Sequence, residues 1–131
     1  MDLIVPVSVG ELIDKLTILD IKAERITDPA KLANVRRERQ ALEAAWVASS
    51  YAGLDVSEER AALRAVNETL WQIEDEIRAH ERAQSFDKAF IALARRVYQT
   101  NDRRAEIKRR LNERTGSALL EEKSYEDYGA G

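Results

Sequence analysis

The sequence predicts an all-α protein, an antiparallel four-helix bundle with an acidic C-terminal tail docked on it. Three observations lead there. Apolar residues recur at alternating spacings of three and four along most of the chain. Helix breakers are scarce: five Gly and two Pro, with three of the Gly at or beyond Gly116. The chain is 34% charged and 44% hydrophobic, too apolar for disorder and suited to solvated helices around a core. Its 131 residues fit one domain, 1–131, able to bury a core without disulfides or a structural metal.

The first helix is expected over about 9–26. Ser8 followed by Glu11 reads as a capping box, in which hydroxyl and carboxylate each take an orphan backbone N–H. Leu12, Leu16, Leu19, Ala23 and Ile26 form one seam, and Ile13, Ile18 and Ile21 widen it. A helix so broadly apolar is central in the bundle or shared with another chain. The second helix, about 29–51, starts at Asp28-Pro29, an N-cap followed by proline at the first helical position. Leu32, Val35, Leu42 and Trp46 point inward, with Arg39 interrupting the seam.

The third helix, about 57–82, follows a cap at Asp55 or Ser57. Its heptad is the cleanest: Leu63, Val66, Leu70, Ile73, Ile77 and His80. Trp71 sits beside that seam. The fourth helix, about 86–115, is expected to take Ser85 as cap and to end at Gly116. Phe90, Ala94, Val97, Asn101, Lys108 and Leu111 mark its inner face. The tail, 117–131, is acidic but holds Leu119, Leu120 and two Tyr; Leu120 and Tyr125 are the residues expected to dock it.

Charge alternates along the chain: −3 over residues 1–28, +2 over 29–53, −4 over 54–84, +5 over 85–116 and −3 over 117–131. Consecutive antiparallel helices therefore meet a complement. The overall charge of −3 offers no general attraction to nucleic acid, and the arginines of the fourth helix are spread around it without interleaved aromatics. No nucleic-acid partner is expected. No apolar run is long enough for membrane insertion. The opening Met1-Asp2-Leu3-Ile4-Val5-Pro6 lacks the pattern of a secretory signal, so a cytoplasmic location is expected.

Chemistry is sparsely represented. There is no cysteine, and the one histidine, His80, reads as packing or capping. Glu74, Asp75 and Glu76 diverge around a helix and cannot converge on a metal. No catalytic residue, metal site or cofactor is assigned. The best candidate site is the polar break Tyr98-Gln99-Thr100-Asn101-Asp102-Arg103-Arg104 in the fourth helix. Asn101, Arg104 and Lys108 share a side there and face Asp14, Lys15 and Lys22 of the first helix. Together they outline a pocket for a small anion between the first and fourth helices. The competing reading is a polar residue that only sets helix register. Ile13, Ile18, Ile21, Trp46 and Trp71 are the candidate interface.

Several stretches resemble a small all-helical bacterial family of unknown function, often found in sugar-transfer and lipopolysaccharide gene neighbourhoods. They are Pro6-Val7-Ser8-Val9-Gly10-Glu11-Leu12-Ile13-Asp14-Lys15-Leu16, Leu70-Trp71-Gln72-Ile73-Glu74, Tyr98-Gln99-Thr100-Asn101-Asp102-Arg103-Arg104 and Glu121-Glu122-Lys123-Ser124-Tyr125. The resemblance spans about residues 6–125 and implies a bacterial cytoplasmic protein linked to cell-surface glycan assembly. Glu11-Leu12-Ile13-Asp14-Lys15-Leu16 is also similar to the opening helix of the helical chorismate mutases, but the first helix lacks their early arginine.

Two functions follow as expectations. The first is a non-enzymatic interaction and assembly module that self-associates, as a homodimer, and docks on a partner enzyme. The alternative is a binding protein for small anionic metabolites, or a small mutase-like enzyme, using the pocket between the first and fourth helices.

Overall fold

The computed structural model describes residues 1–128. Its elements are α1 (Val9–Arg25), α2 (Pro29–Ala48), α3 (Ser57–Ala83) and α4 (Lys88–Thr115), with no strand among the described residues. The fold is all-α, a four-helix bundle. Directions alternate. Asp20 of α1 meets Arg39 of α2, and Arg60 of α3 meets Glu43 of α2. Arg114 near the end of α4 meets Glu59 in the first turn of α3, while His80 near the end of α3 lies beside Phe90 near the start of α4.

α1 sits at the centre and packs on all three other helices, whereas α2 packs its backbone on α1 alone. That placement accounts for the breadth of apolar surface on α1. Ile13 and Ile21 are 0% and 1% exposed within the single chain, so neither has surface left to offer a partner. The core joins Val9, Ile13 and Leu16 of α1, Val56, Leu63 and Val66 in and before α3, and Ile107 and Leu111 of α4. Trp46 and Leu42 of α2 pack against it. Removing a side chain such as Leu16 from this core would cost about 2–5 kcal/mol.

The ends of the helices show where local chemistry governs. Ser8 accepts a hydrogen bond from the Glu11 N–H at 3.1 Å, and Asp28 one from the Lys31 N–H at 2.9 Å. The capping box closes on one side only, because the Glu11 carboxylate reaches across to Lys108 instead of back to Ser8. α4 is capped by Asp87, which accepts from the Phe90 N–H at 3.1 Å, and not by Ser85. α3 starts at Val56 without a side-chain cap; Asp55 holds the Ser57 N–H and hydroxyl from one residue further out. α2 stops at Ala48, before Tyr51 turns inward against the core.

The first half of α4 is rotated by about one residue from the sequence expectation: Leu93 and Thr100 are buried, while Ala94 is exposed and Asn101 only half-buried. Further on, Lys108 and Leu111 are buried as expected. One residue is about 100° of helix rotation, enough to move Asn101 from the seam to its rim. Past Gly116 the tail folds back along α4. It is held by Glu122 to Arg109, Lys123 to Asp102, and Tyr128 against Tyr98 with ring centres 4.7 Å apart. Leu120 and Tyr125 do not dock it: they are 55% and 83% exposed, and ion pairs together with the Tyr98–Tyr128 contact do the holding.

Candidate functional site: a buried carboxylate behind a polar cleft

The site begins where α1 and α4 nearly touch. A Cβ on Gly10 would lie 2.7 Å from the Lys108 carbonyl oxygen and 3.1 Å from the Lys108 Cα, so only glycine allows this approach. The first free N–H groups of α1 find partners across the gap. The Gly10 N–H donates to Asn112 Oδ1 at 2.6 Å, and the Val9 N–H to Ser117 Oγ at 3.1 Å.

One turn further on, Asp14 is fully buried. A buried carboxylate survives only if paired and hydrogen-bonded, and this one is both. The Arg104 guanidinium grips it, with Nε at 3.1 and 3.0 Å from its two oxygens and Nη2 donating to Oδ2. Asn67 Nδ2 donates to Oδ1 at 2.8 Å and to Thr17 Oγ1 at 2.9 Å, and Thr17 donates to the Asp14 carbonyl at 2.7 Å. Lys108 Nζ lies 3.7 Å from Oδ2. Three helices therefore meet at one carboxylate. Every buried side-chain nitrogen and oxygen among the described residues has a partner.

Both cations remain charged. The hydrogen bond to Asp14 raises the Arg104 pKa further, against the opposing effect of burial. For Lys108, burial works against the charge, but hydrogen bonds to Glu11 and Glu121 outweigh it and its pKa also rises.

Outside this network lies a cleft of about 920 Å³, between α4 and the returning tail. Tyr98, Asn101, Lys108 and Arg109 of α4 form its floor, Glu11 its only contribution from α1, and residues 121–126 its far wall. Arg104 borders it and also borders a smaller cavity of about 420 Å³ lined by Ile18, Lys22, Leu70 and Trp71.

The residues singled out in the sequence thus divide. Asp14, Arg104 and Lys108 come together. Asn101 lines the cleft beside them. Asp14 does not line it, being sealed behind Arg104 and Asn67. Lys15 points away, half-exposed, 3.9 Å from Glu11. Lys22 faces the smaller cavity. The pocket therefore lies between α4 and the tail, not between the first and fourth helices. Ile18 borders the smaller cavity, as does Trp71, over which Arg25 sits at 5.7 Å. Asn67, Asn112, Gly10 and Glu121 were not anticipated. Asn67, a polar residue one place past Val66 in the cleanest heptad, was the one readable signal. Among the described residues no cluster of three or more metal-ligating side chains occurs, and no helix is long and apolar enough to cross a membrane.

No curated protein and no solved structure matches the chain. A family model described as a family of unknown function, DUF6165, matches residues 3–129. That match covers nearly the whole chain, and the protein belongs to this family.

Proposed function

We propose that this protein is a helical binding module whose cleft between α4 and the tail takes a small, polar, anionic molecule. One observation carries the reading. A cleft of about 920 Å³ is floored by Lys108 and Arg109 and edged by the amide of Asn101 and the ring of Tyr98. That volume lies within the range of about 300–1,000 Å³ usual for small-molecule sites, and convergent polar groups set orientation in such sites. The Asp14 network behind it gives the support a site needs, since Arg104 is held by the fully buried Asp14 of α1 and Lys108 by Glu11 of the same helix. The bacterial origin and glycan link implied by the family resemblance make sugar phosphates and nucleotide sugars the first ligands to try.

Thermal melting of the full chain against carboxylates, sugar phosphates and nucleotide sugars tests the reading. A true ligand at 100 times its dissociation constant adds about 2.7 kcal/mol of stability. Asn101→Ala, at the cleft rim, should keep the melting temperature of the free protein and lose most of that gain. A flat response across the panel, or an equal gain in the variant, refutes the assignment.

A second reading, a self-associating module, is favoured by one observation: Leu3, Ile4 and Val5 are 92%, 90% and 61% exposed ahead of α1. A contiguous exposed apolar stretch marks an interaction surface. Light scattering at micromolar concentration decides it, a monomer at all concentrations being the opposing result.

A further inference from the structure

Lys108 stands where three carboxylates meet. Its Nζ lies 2.6 Å from Glu11, 2.9 Å from Glu121 and 3.7 Å from Asp14. Glu11 and Asp14 belong to α1 and are fixed by the bundle. Glu121 belongs to the tail, and its side chain is 55% exposed. Without Glu121, one Lys108 N–H faces the cleft with no acceptor.

Beyond the Glu121–Lys108 bond the tail is held by contacts at the surface, among them the half-exposed ring of Tyr128 against Tyr98 at 4.7 Å. Its ion pairs to Arg109 and Asp102 are exposed, and pairs of that kind contribute little. Leu119 and Leu120 are not buried. The firm attachment is at its base, where Ser117 accepts the Val9 N–H. The segment after Ser117 can therefore lift without disturbing the core.

We propose that Glu121 is a built-in competitor: its carboxylate occupies the anion seat at Lys108, and the carboxylate or phosphate of a ligand takes that seat by displacing residues 119–128. The inference rests on the cleft reading above and adds that the cleft's occupant must carry an anionic group small enough to replace one carboxylate. A ligand whose binding-competent state is a minor fraction binds more weakly by that fraction. The tail thus sets the threshold concentration for binding.

The test uses the full chain with inorganic phosphate and with citrate as probes, titrated by calorimetry at constant ionic strength. Glu121→Gln should bind the preferred probe about tenfold more tightly than the unaltered chain, if the tail holds the seat roughly nine-tenths of the time. Glu106→Gln removes the same charge from an exposed position of α4 outside the cleft lining, and should stay within about twofold, because screening flattens remote charge effects. In the unaltered chain, amide relaxation should report rising motion of residues 119–127 as the probe saturates. Preference for phosphate or for citrate then identifies which group the seat fits. Equal affinity in the unaltered chain and Glu121→Gln, or an equal gain in Glu106→Gln, overturns the competitor and leaves the cleft reading standing. If neither probe binds any variant while a nucleotide sugar shifts the melting temperature, the seat at Lys108 is refuted alone. If nothing binds at all, both readings fall.

Discussion

At the scale of single residues, Asp14 decides most. Taking a carboxylate out of water is expensive, and its pairing with Arg104 makes up that loss only while the geometry holds. Asp14→Ala leaves Arg104 and Asn67 facing an apolar gap and should cost about 3–5 kcal/mol, read as a fall in the urea midpoint. The double replacement Asp14→Leu with Arg104→Met should recover much of that loss, since apolar pairs of similar volume often equal a buried ion pair. If the double variant is as unstable as the single one, the carboxylate is doing more than satisfying its partner. Gly10→Ala is a second sharp case. Its new methyl meets Lys108 backbone atoms that cannot swing aside, so the helices must part, at a cost of about 1–3 kcal/mol. A variant as stable as the parent would show that α1 and α4 are less tightly seated. Asp14, Arg104 and Lys108 were legible in the sequence because each is a charge in or beside an apolar seam. Gly10 and Asn112 were not. They are 102 residues apart, and nothing local in either marks the other.

At the scale of elements, helix starts were readable where the cap is a contact three residues long, as at Ser8 and Asp28. The start of α4 was misplaced by two residues because Ser85 and Asp87 both have cap chemistry, and only the fold decides that Asp87 takes the Phe90 N–H. The face of α4 was misread for a related reason. Its middle is polar on several sides, so the apolar period has little to lock onto, and Thr100 was passed over for Asn101. Arg39, which breaks the seam of α2, reaches Asp20 of α1 at 3.4 Å, where Arg60 also arrives at 3.0 Å. The α3–α4 pair carries a pH signature. Arg114 donates to both oxygens of Glu59, at 2.6 and 2.8 Å, and these bonds hold the Glu59 carboxyl below its ordinary value of 4.5, with burial opposing. A carboxylate with a depressed folded pKa contributes fully above its unfolded value, and that contribution fades as the pH falls through the folded one. The stability gap between the unaltered chain and Arg114→Gln should therefore be steady near neutrality and narrow below 4.5. A gap of constant size down into acid would mean that the pair contributes through packing alone.

At the scale of the whole molecule, the alternating charge pattern is realised between neighbours. Asp20 of α1 meets Arg39 of α2, Glu59 of α3 meets Arg114 of α4, and the acidic tail lies on basic α4. The bundle was legible because helix period, scarce glycine and complementary charge all agree. The cleft was not, because its far wall is a tail without regular structure whose path is set by side-chain pairs. One contact has a bearing on how the molecule forms. The bond from Val9 to Ser117 closes a span of 108 residues, while α3 and α4 meet across a four-residue connection. Long spans are entropically slow to close and short ones fast. α1 and α2 meet across a connection of three residues, so each hairpin can form locally, and the docking of one pair on the other comes last, sealing Asp14 between them. Until that final docking the polar cluster stays hydrated, so the nascent chain meets the desolvation of its central charge only when every partner is already waiting.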